Sequence, residues 1–292
     1  MDLPQELLDE IFGHLPTDGG QSLRACSLVA KPWVDPAQRR LFSSVTIALT
    51  TYQSWMTCIS PTNTKLLRNV RSLCCFVWDL LRLDGPIPDI EDLIDYFPSL
   101  CQLQSLILFN LGIEVDFPLE MFSPLRHTLS SLSIYNTFLP WATFIMLLDC
   151  FPHLRNLKIR DPGFIRYLQQ QPPLSRPLCG SLSMSMFSGV DLAIFSSRLP
   201  GTHVAYDELV IHGNPADSMT LKLYQNIIDV CGKNLKYLRL MTCEFMIQCV
   251  RVGSYYRHRL MHVLNSQWAS LRLSRAVQSF ASSSFLRRPP RK

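Results

Sequence analysis

Two histidines, His258 and His262, stand four residues apart, the spacing at which two imidazoles on one helix face can hold a divalent metal. Arg259 follows His258 where a zinc peptidase carries its glutamate base, and a guanidinium beside the pair opposes a dication. Ten cysteines, at 26, 58, 74, 75, 101, 150, 179, 231, 243 and 249, include no Cys-x-x-Cys pair, which argues against a zinc ribbon or a thioredoxin-like site. Most stand inside apolar runs and read as reduced, buried thiols behaving as small hydrophobes. Asp89, Glu91 and Asp92 cluster where a helix should start, and there carboxylates offset the helix dipole. No Gly-x-Ser-x-Gly elbow, phosphate-cradling glycine loop or Gly-x-Gly-x-x-Gly follows any expected strand. The expectation is a chain with no catalytic residue, no metal ligand and no cofactor, which works by binding.

The elements that would do the binding begin at once. Pro4 suits a first helical turn, and Leu7, Leu8, Ile11, Phe12 and Leu15 recur at helical spacing until Pro16 stops the run. A second helix carries Leu23, Cys26, Leu28 and Val29, and Pro32 is expected to close it. Asp35 and Pro36 read as the cap and first residue of a third helix, with Ala37 and Leu41 four apart on one face. Three helices of this size fall below the roughly 40 residues at which a domain usually supports itself. Their apolar surplus is therefore expected to pack against the rest of the chain, a second protein, or both.

Leu3-Pro4, the Leu7-Leu8-x-x-Ile11 run, Cys26-Ser27-Leu28-Val29 with Trp33, and the closing Arg39-Arg40-Leu41-Phe42 together resemble an F-box, phrased much like the F-box-like domains of mushroom-forming fungi. The string departs from that family at Pro32, where a polar residue is more usual. The resemblance implies docking on the Skp-type adaptor of a cullin-RING ubiquitin ligase. Matching adaptor-binding positions are Leu3, Pro4, Leu7, Leu8, Ile11, Leu15, Leu28, Val29 and Trp33.

Beyond residue 47 the pattern changes. Val45, Ile47 and Leu49 alternate as a short strand, and residues 48–66 read as a connector. Then Leu-x-x-Leu-x-Leu or a close relative returns six times, starting at Leu103, Leu129, Leu154, Cys179, Tyr206 and Leu235, at intervals of 26, 25, 25, 27 and 29 residues. A weaker copy starts at Val70. This is the spacing of leucine-rich repeats, in which each copy supplies a strand and a helix. Between strands, Ile90, Leu93, Ile94 and Phe97, then Phe144, Leu147, Leu148 and Phe151, then Tyr224, Ile227, Ile228 and Cys231 each mark one helical face. The register near Leu100 and Leu103 has two readings, and Gln169 to Pro173 is expected to loop out.

The fold class is thus expected to be α/β: a three-helix F-box over 1–47, then, over 67–243, a leucine-rich-repeat-like curved solenoid with parallel strands inside and helices outside. Alternate strand residues would face outward, among them Ser105, Ile107, Ser131, Ser133, Tyr135, Asn156, Lys158, Arg160, Tyr237 and Arg239. Of these, Tyr135, Lys158, Arg160, Tyr237 and Arg239 are the candidates for holding a target protein.

The net charge of +5 is unevenly spread. Residues 244–292 carry +8, so the remainder carries −3, and any contact with nucleic acid would rest on that basic extension, as poorly ordered chain or as a helix over roughly residues 255–280. No basic segment followed by an apolar one opens the chain, and no clean apolar run of about eighteen residues occurs, so a soluble protein of the cytoplasm, the nucleus or both, without membrane contact, is expected. The functional expectation is a non-catalytic substrate-recognition subunit of a Skp/cullin/F-box ubiquitin ligase, its partners an adaptor, through it a cullin, and an unknown target. The alternatives are a repeat scaffold with no ubiquitin role, or nucleic-acid contact through the tail.

Overall fold

A computed structural model of the chain describes residues 4–15, 20–48, 64–76, 97–110, 119–165, 177–185, 193–195, 204–212, 218–231, 234–241 and 246–250. Leu3, the helical face at 90–94, the segment at 169–173 and the extension beyond 250, with His258 and His262, lie outside these residues.

Helix α1 spans Gln5–His14, and the Pro4 carbonyl accepts the N–H groups of Leu7 and Leu8 at 3.1 and 3.2 Å. Helix α2 spans Gln21–Val29. Helix α3 spans Lys31–Leu41, so it starts four residues before the expected Asp35 cap. The reason is that Pro32 falls in the first turn, where a missing N–H costs nothing, and Trp33 N–H bonds the extended Ala30 carbonyl at 2.9 Å. Pro32 opens the third helix instead of closing the second. Pro36 then sits inside α3, buried.

The three helices share a small core of Leu8, Phe12, Leu23 and Ala37, with Leu15, Cys26, Trp33 and Leu41 packed around it. Trp33 meets Phe12 edge-on, ring centroids 5.9 Å apart, a geometry aromatic quadrupoles favour.

From α3 the chain enters a nine-stranded sheet whose strands are β1 (Ser44–Ala48), β2 (Ser72–Phe76), β3 (Ser105–Phe109), β4 (Ser131–Tyr135), β6 (Asn156–Arg160), β8 (Leu178–Ser185), β9 (Val204–His212), β10 (Tyr237–Met241) and β11 (Met246–Val250). The first eight run parallel, each beside its predecessor in the chain; β11 turns back antiparallel on β10. β5 (Phe138–Pro140) and β7 (Gly163–Ile165) pair separately, parallel to one another. The architecture is α/β with an open, mostly parallel sheet.

The register explains the periodicity. Leu73, Leu106, Leu132, Leu157, Leu182, Leu209 and Leu238 stand side by side across seven strands, each at most 2% exposed. Cys75, Leu108, Ile134, Ile159, Met184 and Ile211 make a second buried row two residues on. A strand slipped by one residue would turn its leucine out of the core, so the leucine row and the strand pairing specify one another. At the two-way register, β3 follows the Leu103 reading: Leu100 and Leu103 are both buried, and Ile107 faces outward between Cys74 and Ser133.

Covering the sheet are helix α5 (Trp141–Asp149), helix α6 (Ser218–Cys231), the short α4 (Thr64–Leu67) and a 3₁₀ helix at Leu119–Leu125. Phe144, Leu147, Leu148 and Phe151, and likewise Tyr224, Ile227, Ile228 and Cys231, are buried, as their spacing required. Phe97, Phe122 and Phe151 touch in sequence, with centroids 5.5 and 5.7 Å apart, so residues preceding successive strands share one aromatic spine.

Three sequence expectations are corrected here. Cys179 is exposed, and Leu178 is the buried residue at the head of β8. Simple alternation with Leu182 and Met184 puts Leu178 inward and Cys179 outward; at the register shift between Gly180 and Ser181 the residue left over is Asp207 of β9, and Gly180 takes φ 95° beside the Arg155 carbonyl, where a side chain would collide. Cys101 is exposed as well, so the cysteines are not uniformly buried. Ser133, expected on the outward face, is 4% exposed, its short side chain standing between the larger Ile107 and Lys158 in register.

Candidate functional site

The helical trio spends its hydrocarbon unequally. On α1, Leu8 and Phe12 point into the small core, each 2% exposed, whereas the neighbouring stripe of Leu7 and Ile11 stays 46% and 45% exposed. At the end of α2, Leu28 and Val29 are 87% and 65% exposed. Seven large apolar residues are exposed among the described residues, and these are four of them. The trio thus concentrates uncovered apolar surface in a small part of the chain.

Of the candidate adaptor-binding positions, Pro4, Leu7, Ile11, Leu28 and Val29 offer surface, while Leu15 and Trp33 are half-buried in the trio's core. Leu8 is a correction: its side chain is spent on Phe12, Leu23 and Ala37 and offers none to a visitor. The α1 apolar stripe is wider than the other two helices can cover, because positions 7 and 8 lie about 100° apart around a helix of 3.6 residues per turn.

A second candidate surface is the outward side of the sheet. Lys158 and Arg160 project from β6, and Tyr237 and Arg239 from β10, on alternate positions. Lys158, Arg160 and Tyr237 are exposed; Tyr135 and Arg239 are half-buried. Tyr135 on β4 meets Phe109 on β3 edge-on at 6.1 Å. Between the basic strands lie β8, with Ser181, Ser183 and Ser185 in the outward rows, and β9, with Glu208, Val210 and His212 in those same rows. Lys158 and Arg239 share one row three strands apart, about 14 Å at the usual strand spacing, so long cationic chains flank the shorter Ser183 and Val210.

His212 belongs to this surface and was missed in the sequence. It stands beside Ser185 on the row that includes Arg160, and burial, then the charges of Arg160 and Arg239, hold its pKa below the ordinary histidine value. Counting six residues on from the head of each copy would have found it, since Phe109, Tyr135, Arg160 and His212 all fall there. Asp161 lies 3.7 Å from Arg160, and Glu208 faces outward near Tyr237, so the basic character is partly offset.

A third signal was also legible and missed. Asn110, Asn136 and Asp161 immediately follow β3, β4 and β6, all with left-handed φ of 47–55°. Each donates its N–H to the last carbonyl of the next strand: Asn110 to Tyr135 at 2.9 Å, Asn136 to Arg160 at 2.8 Å, Asp161 to Ser185 at 2.8 Å. Asn and Asp tolerate this conformation better than other side-chain-bearing residues, which is why they recur there.

Among the described residues no three His, Cys, Asp or Glu side chains come together as a metal site would need, and no helix is long and apolar enough to cross a membrane. No protein-family model matches the sequence, and no curated protein matches it.

Proposed function

We propose that this chain is a non-catalytic substrate-recognition subunit of a Skp/cullin/F-box ubiquitin ligase. The observation that carries the reading is the uncovered apolar surface of a helical trio that already has its own core: Leu7, Ile11, Leu28 and Val29 are free to be buried by another polypeptide. Covering one such side chain fully is worth about 1.5–3 kcal/mol, so four form a serviceable anchor for an adaptor. The order of the F-box-like residues supplies the identity of that adaptor.

In this reading the sheet belongs to a leucine-rich-repeat-like solenoid. The sequential order of its parallel strands and the single leucine row support it. Tyr135, Lys158, Arg160, Tyr237 and Arg239 then hold the target, and the chain contributes proximity and orientation while other subunits transfer ubiquitin.

The test is co-expression with a Skp-type adaptor followed by co-purification. Leu7→Asp and Ile11→Asp should each abolish the complex while leaving the circular dichroism spectrum unchanged. Undiminished adaptor binding by both variants, or no complex with the natural sequence, would return the chain to a self-contained scaffold.

A further inference from the structure

The junction between the trio and the sheet is built from charge. The buried residues of the trio form a cluster separate from that of the sheet, and a cleft of about 240 Å3 opens between the two. Asp9 of α1 with Arg39 and Arg40 of α3 line one side; Asn69, Arg71 and Gln102, from the segments leading into β2 and β3, line the other.

Three arginines and one aspartate line the cleft. Asp9 is engaged by Arg39 at 3.2 Å. Arg40 and Arg71 have no ion pair among the described residues, and they reach the cleft from opposite units. Its described lining residues therefore carry an excess of two positive charges, with the amides of Asn69 and Gln102 as neutral donors beside them. A guanidinium fork pairs with two oxygens at a time, so a carboxylate matches one fork, whereas a tetrahedral oxyanion has oxygens enough for two forks at once. At about 30 Å3 per water, the volume admits such an anion together with part of its hydration shell.

We propose that this cleft binds a compact phosphate-type dianion, gripped between Arg40 on the helical side and Arg71 on the sheet side. The anion bridges two units whose apolar cores do not merge, and it neutralises the charge excess at their junction. The site stands whether or not the trio docks an adaptor.

Isothermal titration calorimetry of the full chain at constant ionic strength tests it, with inorganic phosphate in one arm and a short phosphoserine peptide in the other. At least one probe should bind saturably, and Arg40→Gln and Arg71→Gln should each weaken it about tenfold or more, the scale of one lost charge-assisted contact. Arg126→Gln, an exposed change away from the cleft, should not. Binding of phosphate itself assigns a free anion; binding of the peptide alone assigns a phosphorylated chain. Both variants replace exposed side chains, and unchanged circular dichroism spectra verify their folding. Absence of saturable binding in both arms, or equal affinity in the arginine variants, overturns the assignment.

Discussion

The Thr137 hydroxyl donates to the carbonyl of Tyr135 at 3.0 Å and reaches that of Leu108, on the neighbouring strand, at 3.4 Å. Thr137 is completely buried and directly follows Asn136, whose own N–H bonds the strand on the opposite side. The turn leaving β4 is thus tied to both neighbours at once. Thr137→Val keeps the shape and removes the donor, and should lower stability by about 1 kcal/mol. Urea denaturation should show a reduced midpoint with an unchanged slope, and Thr137→Ser should retain the hydrogen bond and lose only the methyl packing.

Gly180→Ala should be more costly. The residue has φ 95° and faces the Arg155 carbonyl, and Ser181 N–H bonds that same oxygen at 2.7 Å, so the backbone cannot yield without losing a ladder bond. Holding a side-chain-bearing residue in such a conformation costs about 1–3 kcal/mol before any steric clash is counted. Thermal denaturation should show a clear drop in midpoint, whereas Ser183→Ala on the same strand should change stability by no more than about 0.5 kcal/mol.

Adjacent leucines on α1 should behave oppositely. Leu8→Ala empties a buried position and should destabilise the trio by about 2–5 kcal/mol. Leu7→Ala removes a half-exposed side chain and should leave stability within roughly 1 kcal/mol. Hydrogen exchange of α1 amides in the two variants checks the contrast.

The His212 pKa is lowered by burial first and by Arg160 and Arg239 second. Its unfolded form therefore binds a proton at a higher pH than its folded form does. Stability contributed at this site is full above the unfolded value of about 6.5 and falls as the pH drops from there through the folded pKa, where the loss levels off. Replacing Arg160 and Arg239 by Gln should raise the His212 pKa, with the shift from burial remaining. An NMR titration of the imidazole reads this directly.

Cysteine reactivity should split the described thiols. Burial pushes Cys75 up to about 12, with Cys74 adding to the effect, and pushes Cys231 up to about 12. Cys101 and Cys179 are exposed. Brief iodoacetamide treatment of the native protein, followed by peptide mapping, should label Cys101 and Cys179 and spare Cys75 and Cys231 until denaturant is added.

Much of this architecture was legible in the order of residues alone. A leucine recurring at near-constant spacing must face one side of successive strands, and helices with apolar residues three and four apart must lie on a core, because burial of hydrocarbon rewards periodicity that matches backbone geometry. The seven strands bearing the row from Leu73 to Leu238, and the buried faces of α5 and α6, follow from that rule.

Other features depended on neighbours distant in the chain. The sequence by itself determined that α1 carries more apolar residues than one interface needs, but only the tertiary structure decided that Leu8 is covered and Leu7 is not. Exposure depends on what two other helices can reach, and no local pattern encodes that. The same holds for Ser133, buried between larger neighbours in register, for His212, set in the field of two arginines from other strands, and for Arg40 and Arg71, 31 positions apart in the chain yet lining one cleft. Periodicity is a property of a segment, whereas burial, electric field and cavity shape belong to the assembled chain.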